Sequence, residues 1–360
     1  MGLINLVVSD FRNIATAELE FSPQLNLITG GNGAGKTSLL EAIYFLGRAQ
    51  SFRTTHPSSL IREGANRLLL RGQLQSTHGN LVQIGIQRDK SKLQVRLAGR
   101  PVRQLAELVS QFPFQLLNPD SHLLLEGGPR HRRRFLDWGV FHVEHAFFPT
   151  WQRYGRALRQ RNAALRARKP LGEVRLWDVE LVTAAISLDQ QRQTYLDLLL
   201  PVLDDYIRDL VDIPKLHWDY RPGWSRQHSY AEALAEGIEA DRRQGFTRLG
   251  PHRADLLPML EGLPAQERIS RGQQKQVVAA LLLAQVQVYQ QQKRQPGLIL
   301  IDDLASELDA GHRERVLRCL QALQAQVFLT SIDPEAIDMT GWPGLRRFHV
   351  EHGQLGEVIY

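Results

Sequence analysis

The eight residues GGNGAGKT, Gly30 to Thr37, have the types and spacing to hold a chain of phosphates. They fit the pattern G-x-x-x-x-G-K-[ST], in which each position has a physical job. Gly30, Gly31, Gly33 and Gly35, with Asn32 and Ala34 between them, let successive backbone N–H groups curl around phosphate oxygens. Lys36 supplies a cation, and the Thr37 hydroxyl can hold Mg²⁺. A glycine-rich turn is the bland alternative. The pattern carries weight only between a strand and a helix, and "LNLIT" precedes it while "KTSLLEAIYFLG" follows.

A second cluster lies far along the chain. In "LILIDD", Leu298 to Asp303, four aliphatic residues end in two acids, as a buried central strand does when it delivers carboxylates at its carboxyl end. Acids placed there are costly to bury without a cation. Asp302 is expected in the Mg²⁺ shell, and Asp303 is expected to orient or deprotonate an attacking water. A third stretch, "SRGQQK", opens a long apolar helix with Ser270 as its cap. Helix starts favour acids, because their first N–H groups form a positive pole, yet this one carries Arg271 and Lys275. Exposed N–H groups with Ser270 and Arg271 make a receptor for an anion brought from elsewhere.

These residues need a scaffold, and 360 residues are enough to bury a large core. The spacing predicts strands at Leu3–Val8, Glu18–Phe21 and Leu25–Thr29, then a helix from Lys36 to Gly47. From Arg67 to Leu97 apolar residues alternate between turn signals at Thr77–Asn80 and Asp89–Lys92, which predicts an antiparallel meander. After a short strand at Phe112–Leu117 the pattern turns helical: Pro129–Ala146, Thr150–Lys169 and Leu176–Leu210, the last with a kink at Pro201. From Thr247 the α/β alternation returns. Three parts are expected: 1–128 with the phosphate loop and meander, 129–246 as a helical lobe, and 247–360 with the cap segment and acidic strand.

The net charge of +6 and a pI near 9.6 favour a polyanionic partner. One cysteine, Cys319, excludes an internal disulfide framework and sits at an apolar helical position, as a core residue would. The start lacks the features of a signal peptide, and no apolar run is long enough to span a bilayer, so a cytoplasmic location is expected. No acid lies between Glu144 and Glu173, while Arg153, Arg156, Arg159, Arg161, Arg166 and Arg168 accumulate there; Arg130, Arg132, Arg133 and Arg134 lie just upstream. A solvated basic helix is the plain reading of such a run. DNA contact through backbone phosphates is the functional one, with strong salt dependence and no base-reading motif. His252 in "TRLGPHRADL" invites a catalytic role, but Gly-Pro followed by His-Arg is also a rigid turn, which is the reading preferred here.

Taken together, "SRGQQK", "LILIDD" and "SELD" (Ser306 to Asp309) resemble the signature, acidic strand and following loop of the ATP-binding cassette (ABC) superfamily. "FRNI", Phe11 to Ile14, is similar to an element of its chromosome-maintenance and DNA-repair branch. "GPRHRRRFLDWGVFH" and "TRLGPHRADL" look like segments of the RecF family of bacterial recombination and gap-repair proteins. The resemblance implies an α/β fold: an ABC-type phosphate-loop ATPase head with a β-rich insert and an inserted helical lobe. It implies ATP and Mg²⁺ as cofactors, with Arg12 and Asn13 flanking the phosphates. Ser270, Arg271, Gly272, Gln273 and Gln274 would read the γ-phosphate of a second copy, so that ATP drives a homodimer. A switch contact would come from Gln115 or Asn118. The partners implied are single- and double-stranded DNA at gaps or junctions, and RecR; the implied process is replication and recombinational repair, with recombinase loading and SOS induction. Asp303 stands where most of the superfamily has Glu, and Thr330 and Ser331 stand where a histidine is usual. Both departures remove groups that speed hydrolysis, so a weak, DNA-stimulated ATPase acting as a switch is expected. Two other classes compete. A transporter ATPase subunit places its motifs closer together and carries that histidine; a small-molecule kinase leaves "SRGQQK" and the arginines without a use.

Overall fold

The computed structural model describes residues 2–75 and 79–358, without the side chains of Ser306 and Glu307. Part of the expected turn at Thr77–Asn80 and half of the "SELD" loop therefore lie outside the described residues. The chain divides into two compact units: residues 1–121, 209–211 and 275–360, and residues 122–208 and 212–274.

The first unit holds two sheets. Strands β1 (Gly2–Phe11), β2 (Ile14–Glu20), β4 (Arg67–Gln75), β5 (Leu81–Asp89), β6 (Leu93–Leu97) and β7 (Arg100–Pro101) pair antiparallel in the order β2-β1-β4-β5-β6-β7. Their alternation of apolar and polar residues buries one face, as in Leu68, Leu70 and Leu74 of β4. The second sheet runs β15 (Gln354–Glu357), β14 (Leu345–Glu351), β3 (Leu25–Thr29), β13 (Gln326–Ser331), β12 (Leu298–Ile301), β8 (Phe114–Leu117). All its pairings are parallel except that of β14 with β15. Here β3, β12 and β13 are buried along their whole length; β12 reads as an unbroken aliphatic run, while β3 and β13 also bury Asn26, Gln326 and Thr330. Between the sheets lies the helix Lys36–Arg48, whose Leu39, Leu40, Ile43, Phe45 and Leu46 join one core with β1, β4 and Phe328 of β13.

A buried glutamine ties this unit together. Gln326 accepts from Leu3 N–H at 2.7 Å and donates to the carbonyls of Leu3 and Ser22 at 2.7 and 2.8 Å. Its amide thus stands in for a strand partner, and no buried polar atom of it is wasted.

The second unit is mainly helical: Pro129–Val143, Phe147–Arg166, Asp178–Leu210 and Tyr230–Gln244, with a small sheet of β9 (His217–Arg221), β10 (Asp255–Leu260) and β11 (Leu263–Pro264). The helix Asp178–Leu210 runs through Pro201 rather than breaking there. The boundary expected at Thr247 also moves. Thr247 donates its N–H to Asn162, and Asp255 pairs with Arg132, so residues 247–274 belong with the helices.

Candidate nucleotide site and nucleic-acid face

Strand β3 ends at Thr29, and the chain then turns through Gly30, Gly33 and Gly35 with φ of 149°, 75° and 125°. Glycine is required twice over at two of these. A Cβ on Gly30 would lie 2.3 Å from the Val350 carbonyl, and one on Gly35 would meet the Asn13 amide at 2.9 Å. The helix then starts at Lys36 with no acid in its first turn, leaving its N–H pole to an anion. The loop is held from behind: the Ala34 carbonyl accepts from the Asn13 amide at 3.0 Å and from Gly353 N–H at 2.9 Å. The hairpin turn His352–Gly353, joining β14 to β15, was not legible as part of this site, because nothing in its spacing points at a loop more than 300 residues upstream.

Lys36 donates to the Gly30 and Gly31 carbonyls at 2.8 and 3.0 Å. Burial lowers its pKa below that of an ordinary lysine, while Asp303 and Asp302 pull the other way. Parallel pairing of β12 between β8 and β13 places Asp302 at the carboxyl edge of the sheet, beside the phosphate loop. The Thr37 hydroxyl lies 2.9 and 3.1 Å from the two Asp302 oxygens. Burial pushes the Asp302 carboxyl up; hydrogen bonds from Thr330 and Thr37 oppose it, and Asp303 adds to it. A hydroxyl and a carboxylate are hard oxygen donors, the set that suits Mg²⁺ together with nucleotide phosphates.

Asp303 sits in the left-handed region at φ 55°, uncommon for a residue with a side chain. Its N–H donates to Thr330 Oγ1 at 2.8 Å, and the same hydroxyl donates to Asp302 Oδ1 at 2.8 Å. The residue found in place of a histidine therefore fixes both acids. Ser331 turns to the Asp333 carbonyl instead.

The Arg12 guanidinium grips the buried Glu41 through two bonds of 2.9 Å and the Ser59 carbonyl at 3.0 Å, so it braces the loop's helix. Glu41 also pairs with Arg53 at 3.7 Å, whose charge reaches Asp302. Arg53 had no motif to announce it. Of the two switch candidates, Gln115 is buried mid-strand on Gln285 at 2.6 Å, whereas Asn118 follows β8 at the carboxyl edge, next to Asp302, whose N–H bonds Leu117.

Ser270 caps the helix Arg271–Lys293 in a reciprocal box: Gln273 N–H donates to its hydroxyl at 3.2 Å, and Ser270 N–H donates to the Gln273 side chain at 2.9 Å. Ser270, Arg271 and Gly272 are exposed, and Gln274 is buried.

The arginines divide. Arg161 is fully buried, on Asp178 and Asp241 at 2.8 Å each and on Thr247 at 2.7 Å. Arg132 is buried on Asp255 at 2.7 Å, and Arg133 is half-buried on the Ala254 carbonyl. Arg161 and Arg132 are thereby withdrawn from the surface, with their ion pairs inside the fold; helical spacing alone cannot tell a basic face from a buried ion pair. Arg153 is exposed but paired with Glu180. Arg130, Arg134, Arg156, Arg159, Arg166 and Arg168 remain at the surface. His252 is structural, between the Tyr154 hydroxyl at 2.6 Å and the Thr247 carbonyl at 3.0 Å. Cys319 is half-buried rather than core, its thiol pushed up to about 11 by burial.

A glycine loop between a parallel strand and a helix, an acidic strand two places away and a helix-capping signature define an ABC-type ATPase head. The RecF/RecN/SMC N-terminal domain family matches residues 2–343. The chain is 43% identical over 99% of both chains to the DNA replication and repair protein RecF of Thioalkalivibrio sulfidiphilus, and 42% identical to that of Pseudomonas aeruginosa strain LESB58 over 99% of this chain and 98% of the relative. It belongs to the RecF family of DNA replication and repair proteins. A solved structure of the recombination mediator protein RecF with ATP in the RecFOR pathway superposes with a TM-score of 0.87 at 23% identity, covering 99% of this chain and 97% of that one. An SMC head bound to a ScpA domain shares the fold at a TM-score of 0.63 and 14% identity, covering 99% and 97%. The transporter reading falls away with that membership; among the described residues no helix is long and apolar enough to cross a membrane.

Proposed function

We propose that the protein is an ATP-gated DNA-binding switch of replication and recombinational gap repair. The observation that carries this is the meeting of Thr37 with Asp302, which joins the phosphate loop to the acidic strand. Thr37 and Asp302 would hold Mg²⁺, which when bound neutralises charge on the β- and γ-phosphates. Lys36 exchanges its carbonyl partners for phosphate oxygens. Asp303, fixed by Thr330, orients the attacking water, and its short side chain makes hydrolysis slow. Ser270–Gln274 receive the γ-phosphate held by a second copy, so ATP binding pairs two chains and hydrolysis releases them. The exposed arginines Arg130, Arg134, Arg156, Arg159, Arg166 and Arg168 hold the DNA backbone. RecR is the protein partner this reading implies, with recombinase loading and SOS induction downstream.

Sedimentation with and without ATP and DNA tests it. The parent chain is expected to shift to a dimer with ATP. Lys36→Met is expected to lose nucleotide and dimer together, and Ser270→Arg to keep nucleotide but remain a monomer. A Ser270→Arg variant that dimerises like the parent would overturn the shared-site reading.

A further inference from the structure

In the second unit a cavity of about 780 Å³ opens between the segment after β9 and the turn before β10. Gly223, in its lining, makes a close approach to Gly250. Gly250 N–H donates to the Gly223 carbonyl at 3.0 Å, and a Cβ on Gly223, at φ 100°, would stand 2.1 Å from the Gly250 carbonyl. No side chain fits between them, so the two loops are pinned and their side chains point from a rigid base.

Those side chains are aromatic rings and guanidinium groups. Trp224 is half-buried, its ring 4.8 Å from that of Tyr230. Arg253 is exposed and lies over the Phe246 ring at 5.7 Å. Arg226 lies over Tyr220 at 6.0 Å and pairs with Asp189 at 3.2 Å, and Arg221, exposed at the rim, pairs with Asp219 at 2.8 Å. The carboxylate in the wall, Asp255, is held by Arg132 through bonds of 2.7 and 3.0 Å, so its charge is cancelled from behind. His252, the residue that looks catalytic, is spent on Tyr154 and Thr247.

Flat rings interleaved with flat cations suit a ligand that is itself flat and carries an anion beside it. A nucleobase has a π face for any ring, and its phosphate answers the arginines. We infer that this cavity takes an unpaired nucleotide of a DNA strand, stacking the base against Trp224 or Phe246 while the exposed Arg253 holds a flanking phosphate. The inference rests on the DNA-binding reading above and adds to it a place where single-stranded character is sensed, distinct from the arginines on the helices Pro129–Val143 and Phe147–Arg166.

The test uses the full chain and three labelled probes followed by fluorescence anisotropy at low salt: an oligothymidine, an abasic strand of equal length and a blunt duplex. The parent is expected to hold the oligothymidine more tightly than the abasic strand. Trp224→Ala and Arg253→Ala are expected to weaken the oligothymidine roughly five- to hundredfold, the range of one lost stack, with the duplex unaffected. Trp224→Phe, which keeps a ring, should restore most of the binding and guards against a folding defect. Equal affinity of the parent for base-bearing and abasic strands, with the duplex still held, would sink this inference alone and leave the DNA reading standing. Failure to hold any of the three would sink both. Capture of an acidic, tyrosine-rich peptide by a cavity that ignores all strands would overturn it in favour of a protein ligand.

Discussion

Thr330 illustrates how one hydroxyl can order a site. It accepts from the backbone of Asp303 and donates to the carboxylate of Asp302, so both acids keep their places. Thr330→Val has the same shape but no hydroxyl. It is expected to destabilise the chain by about 1–3 kcal/mol, the cost of a buried donor left alone, and to slow phosphate release while leaving ATP binding in place. A variant with unaltered release kinetics would remove Thr330 from the site. Gly30→Ala is expected to abolish nucleotide binding, read with a fluorescent ATP analogue, because φ 149° and the Val350 carbonyl both exclude a methyl group. At this scale the sequence showed the loop fully, since its glycines, lysine and threonine are contiguous. It hid Arg53, Gly353 and the bonds that Thr330 makes, because these come from neighbours in space and not along the chain.

At the scale of elements, the strand ranges expected at β3 and β12 match those observed, because buried parallel strands write themselves as aliphatic runs. The helical lobe was legible in outline, but its charges were not. The helix Phe147–Arg166 presents Arg159 and Arg166 to solvent and turns Arg161 inward onto two aspartates from other segments. Arg161→Ala is expected to cost about 3–5 kcal/mol by leaving buried carboxylates uncompensated, seen as a large fall in Tm. Arg156→Ala with Arg159→Ala and Arg166→Ala should leave Tm nearly unchanged, yet lower duplex affinity and flatten its salt slope by up to about 0.9 per lost phosphate contact. An unchanged slope would move the DNA elsewhere. The turn Pro251–Arg253 carries a pH signature of its own. Burial lowers the His252 pKa to about 4; the Thr247 carbonyl and Asp241 pull it up, while Arg253 and Arg133 push it down further, and Tyr154 bonds its other nitrogen. Between about 4 and its ordinary 6.5 the unfolded chain binds the extra proton, so stability falls as pH drops through that window. His252→Gln is expected to flatten the dependence of Tm on pH from 7 to about 4.5, and an equally steep variant would assign it to other groups.

Over the whole molecule, a ligand that binds only the folded chain must raise its stability. At a hundredfold excess over Kd the gain is about 2.7 kcal/mol. MgATP is therefore expected to raise Tm by a few degrees in the parent and by nothing in Lys36→Met; a rise in both would place the nucleotide elsewhere. Three parts were expected, with a helical one from residue 129; the chain divides into two units, the first break falling after Ser121. The far boundary was not legible, because residues 247–274 read as short strands and a turn, and only their pairing with Asn162 and Arg132 assigns them to the helical unit.

The order of strands in the parallel sheet has a consequence for how the chain is made. Strand β3, which carries the phosphate loop, has β13 on one side and β14 on the other, and the Gln326 amide that clamps Leu3 and Ser22 belongs to β13 as well. During synthesis β3 leaves the ribosome with neither neighbour in existence. At about 5–20 residues per second, tens of seconds pass before the first of them emerges. The nucleotide pocket is thus among the last parts of the molecule to close. Until then a bare hydrophobic strand waits in the cell, a natural client for chaperones and the point at which premature termination would leave the chain most prone to aggregate.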